Sequence, residues 1–264
     1  MMSSLLLNLL FPPKCAGCDE LIPVADWRRG EECLCRTCRA AWETAKLEVC
    51  PDCHESMIDC RCMTHLLEEA GMQSLRKLMW YGAEEGNQRT VGDRLLYHVK
   101  DGHVIAYERF LADQLYHGAL SEMKYRGWLL TDEQGKTPFE TIVTYCPRSP
   151  RKVREKGTDQ AERMARRLAS RLGVPFVPTL ARRDNEEQKM LDREARYRHA
   201  SHSYHLRRGR SVTLKRVILV DDIVTTGASM AACAEVLLDG GALSVIGVCV
   251  SQTRRKKEKK AKKS

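Results

Sequence analysis

Two short apolar runs stand out from longer segments of helical periodicity along this 264-residue chain. Residues 217–220 (V-I-L-V) have the unbroken β-branched and aliphatic character of a central parallel strand. Residues 141–146 (T-I-V-T-Y-C) predict a second strand, which Pro147 ends. Strands interspersed with helices predict an α/β domain, in which a parallel sheet is flanked by helices.

Helical spacing dominates residues 66–120, where Leu75, Leu78 and Met79 would share one helix face. Within that stretch, residues 104–120 carry apolar side chains at helical intervals. A polar, glycine-rich loop is predicted over residues 127–138. A further helix is predicted over residues 159–172, followed by Gly173 as its stop signal.

The richest chemistry follows the run at residues 217–220, where Asp221 and Asp222 occupy the carboxyl end of the predicted strand. Open α/β sheets bind ligands at that edge. The small residues that come next can surround a phosphate with backbone N–H groups and hydroxyls at the start of a helix. They are Thr225, Thr226, Gly227, Ala228 and Ser229. The pattern indicates a phosphorylated sugar with a vicinal diol; an ordinary strand, turn and helix is the alternative.

Nine of the twelve cysteines lie within residues 15–62, and eight of these nine form two groups of four. The first group is Cys15, Cys18, Cys35 and Cys38, and the second is Cys50, Cys53, Cys60 and Cys62. Paired C-x-x-C knuckles predict structural Zn²⁺ in the first group, and a less regular spacing predicts it in the second. Cys33, His54 and His65 are alternative ligands of the second site. A disulfide framework and an iron–sulfur cluster are the competing interpretations.

Charge is uneven, because residues 254–264 hold eight Lys or Arg and one Glu, which leaves 9 − 7 = +2 for the remainder of the +9 chain. This tail is predicted to be disordered, or to bind phosphates without specificity. No segment reaches the ~20 apolar residues of a membrane span. Residues 5–11 are predicted to form a short docking helix, and the absence of a signal peptide pattern predicts a cytoplasmic protein.

Residues 217–229 (V-I-L-V-D-D-I-V-T-T-G-A-S) resemble the 5-phosphoribosyl-1-pyrophosphate (PRPP) motif of type I phosphoribosyltransferases. The cysteine segment, the strand at 141–146, R-K-V-R-E-K-G-T-D-Q at 151–160 and L-A-R-R-D-N-E-E-Q-K-M-L at 180–191 extend the resemblance to the ComF family. It implies a type I phosphoribosyltransferase-like parallel sheet flanked by helices, with a small N-terminal cysteine-rich zinc module. The expected divisions are residues 1–65, 66–253 and 254–264.

The same resemblance implies roles for individual residues. Asp221 and Asp222 would hold the ribose hydroxyls of PRPP, and residues 225–229 would hold its 5-phosphate. Arg148 and Arg151 would bind the pyrophosphate together with Mg²⁺. A mobile hood would close over the sugar with Arg182, Arg183 and Gln188.

Other features of the sequence have a plainer interpretation. The cations after residue 147 could equally form a solvated basic face. Lys100 could reach the pyrophosphate or be an ordinary lysine at a helix end. Tyr197, His199, His202 and Tyr204 are candidates for stacking on or hydrogen-bonding an acceptor base, but we expect them to form a surface cluster.

The implied function is transfer of the phosphoribosyl group of PRPP to an unidentified acceptor, in a protein linked to competence and DNA uptake. The alternative is a non-catalytic PRPP-binding domain in a DNA-binding or DNA-transport accessory protein. Its partners would be single-stranded DNA and other competence or DNA-processing proteins. The zinc module would then be the DNA grip.

Overall fold

The computed structural model describes residues 12–26, 33–82, 89–101, 105–183 and 203–254. The helix predicted at residues 5–11 and the basic tail beyond Arg254 lie outside these ranges. None of the helices in the described ranges combines the length and the apolarity that a bilayer crossing requires.

The centre of the fold is a parallel sheet of four strands in the order β1, β6, β5, β2. A separate antiparallel pair is formed by β3 and β4. The strands are β1 (Leu75–Tyr81), β2 (Thr141–Tyr145), β3 (Leu180–Arg182), β4 (Tyr204–Leu206), β5 (Arg216–Val224) and β6 (Ser244–Thr253). Because all four strands of the main sheet are parallel, their carboxyl ends meet at one edge.

Helices cover both faces of the sheet, which confirms the predicted fold class. They are α1 (Arg36–Lys46), α2 (His65–Glu69), α3 (Val91–Asp101), α4 (Ile105–Tyr125), α5 (Pro150–Lys156), α6 (Gln160–Leu172) and α7 (Ala228–Asp239). Apolar residues of α3, α4 and α6 pack on one face, against Ile218 and Val220 of β5. Those of α2 and α7 pack on the other face, against Val217 and Leu219.

Several local predictions are confirmed. The apolar run at residues 217–220 is fully buried inside β5, which continues past the two acids to Val224. The helix predicted at 104–120 is α4 and extends to Tyr125. Helix α6 is capped by the Asp159 side chain and ends at Gly173, whose φ of 68° is the left-handed conformation that glycine tolerates.

The helix predicted around Leu75, Leu78 and Met79 is wrong, because these residues belong to strand β1. A short run buried on both faces cannot be distinguished from a helix by its period. Arg76 and Lys77 interrupt the apolar run and imitate the polar face of a helix, yet both are buried in the strand. Strand β6 and helix α5 were not predicted.

The cysteine-rich segment packs directly on the rest of the protein. Its first part rests on α4, where Tyr107 Oη donates a hydrogen bond to Lys14 O at 3.0 Å. Trp42 of α1 lies edge-on to Phe110, with 5.2 Å between ring centroids. Cys15, Cys33 and Cys38 consequently share one apolar core with α3 and α4.

Candidate functional site

Asp221 and Asp222 lie at the carboxyl-end edge of the sheet, on the strand between β2 and β6. Asp221 Oδ1 accepts a hydrogen bond from Asp222 N at 2.8 Å. Burial, together with the negative charge of Asp222, raises the pKa of Asp221 well above its usual range. The charge of Asp222 thus opposes the ionisation of Asp221, so a ligand that binds both carboxyl groups must supply positive charge or hydrogen-bond donors.

Two cations from different elements converge on Asp222. Its Oδ2 lies 3.3 Å from Lys100 Nζ, at the end of α3, and 3.2 Å from Arg148 Nη2, in the loop after β2. Lys100 had two competing interpretations from sequence, and the structure brings it to the paired acids. Two cations that converge on one carboxylate form a group that can bind a multiply charged anion.

Asp159 and Gln160, at the start of α6, hold the backbone that carries these two cations. Asp159 Oδ2 accepts a hydrogen bond from Arg148 N at 2.8 Å. Gln160 Nε2 donates to Lys100 O at 3.1 Å. Both side chains are buried, and burial raises the pKa of Asp159 although backbone N–H groups oppose the shift. Sequence reasoning used Asp159 only as a helix start and missed this second role.

The loop after the acids bends at Gly227, whose φ of 88° is left-handed. Thr226 Oγ1 accepts a hydrogen bond from Ala228 N at 3.3 Å, and Thr225 is exposed. Gly227 is also the N-cap of α7, so the positive end of that helix faces the loop. A left-handed turn directly before a helix N-terminus is a geometry that can present backbone N–H groups to an anion.

The cysteine segment forms the support beneath this loop. A Cβ atom on Gly227 would lie 2.5 Å from Thr64 Oγ1 and 3.2 Å from Leu67 Cγ. Thr64 is the N-cap of α2 and follows shortly after Cys62. Gly227 is therefore required both by its backbone conformation and by the close approach of this segment.

The remaining predicted residues have different surroundings. Arg151 is exposed on α5 and forms an ion pair with Glu155 at 2.9 Å. Arg183 is exposed, whereas the Arg182 guanidinium lies 5.3 Å from the ring centroid of Tyr204.

The surface position predicted for Tyr204 is wrong, because Tyr204 is 5% exposed and its side chain is hydrogen-bonded to Ser229 at the start of α7. Its hydroxyl has a partner inside the protein, so its aromatic ring can be buried. Gln188, Tyr197, His199 and His202 lie outside the described residues.

Each group of four cysteines converges in space, with all four sulfur atoms within 4.8 Å of one another. Cys18 Sγ and Cys35 Sγ are 3.8 Å apart. Four thiolates at the usual Zn–S distance of about 2.3 Å from a tetrahedral centre would be about 3.8 Å apart, so the donor set fits zinc. All twelve cysteines are free thiols, which disfavours the disulfide alternative. His54 and His65 are exposed, and the second group closes without them or Cys33.

Comparison with known proteins agrees with this architecture. Residues 158–264 match the family model described as a phosphoribosyl transferase domain. The chain therefore carries a phosphoribosyltransferase-like α/β domain behind a cysteine-rich segment. Over a longer span, it is 24% identical in 222 residues to the competence protein ComFC of Streptococcus pneumoniae, covering 83% of this chain and 87% of that protein. The resemblance to the ComF family is confirmed.

Similarity to two solved structures is low in both sequence and superposition. A purine phosphoribosyltransferase from Pyrococcus horikoshii is 15% identical, with a TM-score of 0.33 over 54% of this chain and 74% of that one. A hypoxanthine phosphoribosyltransferase from Staphylococcus aureus is 11% identical, with a TM-score of 0.35 over 62% and 76%.

Proposed function

We propose that this protein binds PRPP with Mg²⁺ at the carboxyl-end edge of its sheet and transfers the phosphoribosyl group to an acceptor. The observation that supports this most is the contact of Asp222 with both Lys100 and Arg148. Asp222 lies on β5, which the Gly227 loop connects to α7. Both β5 and α7 lie within the residues that match the phosphoribosyl transferase family.

Each part of the site suits one part of PRPP. The Gly227 loop and the start of α7 offer N–H groups and hydroxyls to the 5-phosphate. The carboxylates of Asp221 and Asp222 can accept hydrogen bonds from the ribose diol. Lys100 and Arg148 can exchange their contact with Asp222 for the pyrophosphate. Carboxylate and phosphate oxygens are the ligands that Mg²⁺ prefers.

The chemistry proposed is displacement of pyrophosphate at C1 of the sugar by an acceptor nucleophile. The C1–oxygen bond breaks with its electron pair on the pyrophosphate, through a transition state of oxocarbenium character. Lys100 and Arg148 would stabilise the leaving charge, and Asp159 and Gln160 would hold them in position beforehand. When bound, Mg²⁺ would neutralise part of the same charge. Arg182 and Arg183 would act from the hood as it excludes water.

We further propose that the two cysteine groups bind structural zinc. Four cysteine ligands in each group leave no position for substrate or water, so the metals would hold the segment folded. The similarity to a competence protein supports a role in the same process for this chain.

Calorimetric titration of the zinc-loaded protein with PRPP and Mg²⁺ tests the central proposal. We expect saturable binding that disappears in Asp221→Asn/Asp222→Asn. The matched control is Glu68→Gln/Glu69→Gln, an adjacent pair of exposed acids on α2, which should bind as the wild type does. Failure of the folded wild-type protein to bind PRPP would refute the proposal. Binding without pyrophosphate release across an acceptor screen would favour the non-catalytic alternative.

A further inference from the structure

Strand β1 has an unusual composition for the edge of a sheet. It is the outermost strand of the main sheet, yet Arg76 is 3% exposed and Lys77 is 1% exposed. Lysine and arginine are almost never fully buried unless a partner compensates their charge. Both side chains therefore need an explanation that the sheet itself does not provide.

The hydrogen bonds that these two side chains make within the described residues go to the second cysteine group and its loop, and Lys77 Nζ also lies 5.9 Å from the ring centroid of Trp80. Lys77 Nζ lies 3.2 Å from Cys60 Sγ and donates a hydrogen bond to Cys62 O at 2.7 Å. Arg76 Nη1 donates to Asp59 O at 2.7 Å, and Arg76 Nη2 donates to Ile58 O. The strand thus holds the loop by its backbone and directs one ammonium group at a ligand sulfur.

We propose that Lys77 is the counter-cation of the second cysteine group, so that metal binding there fixes β1 at the edge of the sheet. The inference rests on the proposed zinc. Zn²⁺ with four thiolates carries a net charge of about −2, which is costly to bury without compensation. Lys77 supplies a positive charge in contact with one of the four sulfurs. Without the metal, the ammonium is buried beside neutral thiols, which favours separation of β1 from the loop.

The first cysteine group provides an internal comparison. There Cys15 Sγ accepts hydrogen bonds from two backbone N–H groups, those of Gly17 and Cys35, each at 3.3 Å. A change at Lys77 should therefore alter the second group and leave the first unchanged in the same molecule.

The test uses the full chain loaded with zinc and titrated with a chelator. Brief alkylation followed by mass spectrometry identifies which cysteines have lost metal. In Lys77→Met, we expect the chelator concentration that strips the second group to fall about 10- to 100-fold, as for other residues that support metal ligands. The first group should be unaffected. Lys46→Met is the matched control, because Lys46 lies near the same loop but bonds to Gln114 and Glu43.

Two further measurements separate charge compensation from packing. Lys77→Arg keeps the charge and should recover most of the wild-type resistance to the chelator, whereas Lys77→Gln keeps a hydrogen-bond donor and should not. With Co²⁺ in place of zinc, the thiolate-to-metal absorption band should shift in Lys77→Met and not in Lys46→Met. When metal is removed from the second group, the hydrogen-exchange rate of β1 should rise more than that of β5.

The outcomes are distinct. Equal chelator resistance of the second group in Lys77→Met and the wild type would overturn the role of Lys77, as would equal weakening of both groups. A wild-type protein that binds zinc at the first group alone would refute the proposed second zinc site and this inference with it. Two zincs with an unchanged Lys77→Met would refute the inference alone.

Discussion

The two cysteine groups support the candidate site through different elements. The first rests on α3, where Asp19 Oδ1 lies 3.0 Å from His98 Nε2, and α3 ends with Lys100 beside Asp222. The second continues into Thr64 and Leu67, which support the Gly227 loop from below. One group therefore backs the helix that carries Lys100, and the other backs the Gly227 loop. The cysteine segment is structurally part of the site's support.

The contacts around the two groups also differ in kind. Aromatic packing of Trp42, Tyr107 and Phe110 surrounds the first group. The second group has apolar contacts with Met57 and Trp80, but charged side chains also flank it, including the ion pair of the partly exposed Arg61 with the buried Glu122. Apolar packing changes little with pH, whereas buried ion pairs depend on the ionisation of each member. We expect mutations and acid to disturb the charged contacts beside the second group more strongly than the aromatic packing beside the first.

Glu122→Gln should give the largest effect on stability. Glu122 is fully buried, and its carboxylate contacts Arg61 at 2.8 Å and Arg126 at 2.7 Å. Arg61 lies between Cys60 and Cys62 in the sequence. The substitution therefore leaves the positive charges of Arg61 and Arg126 without their carboxylate partner, next to the second cysteine group. We expect a loss of about 2–3 kcal/mol in the free energy of unfolding, measured with urea at pH 7, the low end for a broken buried pair because Arg61 is partly exposed.

The pH dependence of this variant has a definite sign. Burial alone would raise the pKa of Glu122, but hydrogen bonds from Ser74 and Arg61 and the charge of Arg126 lower it overall. The stability it contributes is present above the unfolded value of about 4.3 and is lost as the pH falls through the lower folded value. The difference in the free energy of unfolding between wild type and Glu122→Gln should become smaller below about pH 4. Glu43→Gln, an exposed helix residue, should cost less than about 0.5 kcal/mol at any pH.

Local motifs were predictable from the sequence, and the contacts between them were not. The buried run before Asp221, the loop at Gly227 and the two cysteine groups each occupy a short stretch whose residue types fix the geometry. The support under Gly227 depends on Thr64, which is distant in sequence and carries no motif. Strand β1 was mistaken for a helix because Arg76 and Lys77 look like exposed residues in the sequence. Their burial depends on hydrogen bonds to the second cysteine group and its loop, which form only in the folded protein.

Gly227→Ala should weaken PRPP binding while leaving both metal groups intact. The added Cβ meets Thr64 Oγ1 at 2.5 Å and also requires a left-handed backbone. Strain of about 1–3 kcal/mol corresponds to about a 5- to 150-fold loss of affinity. Calorimetry with PRPP and Mg²⁺ measures it. Gly135→Ala is the control. Gly135 also has a left-handed backbone, but an added Cβ there would have no neighbour within 4 Å, so PRPP affinity should not change. Equal losses in both variants would mean that Thr64 provides no specific support.

Gly17→Ala is the corresponding change at the first cysteine group. Its Cβ would lie 2.6 Å from Cys38 Sγ, so a ligand sulfur must move. We expect zinc affinity of the first group to fall about 10-fold, the lower end for a disturbed ligand support, with the second group unchanged. Chelator titration with alkylation of the cysteines reports both groups together. Loss of metal from both groups would show that they are coupled and would remove the distinction drawn between them.

Lys100→Met tests whether α3, on which the first cysteine group rests, contributes a cation to the candidate site. If Lys100 binds pyrophosphate, losing one charge-assisted contact should weaken PRPP binding about 10-fold, and ribose 5-phosphate, which lacks pyrophosphate, should bind equally to both proteins. Lys124→Met, at an exposed position on α4, is the control and should match the wild type. Unchanged PRPP affinity in Lys100→Met would make its contact with Asp222 a feature of the free protein only. The first cysteine group would then support a helix rather than the binding of pyrophosphate.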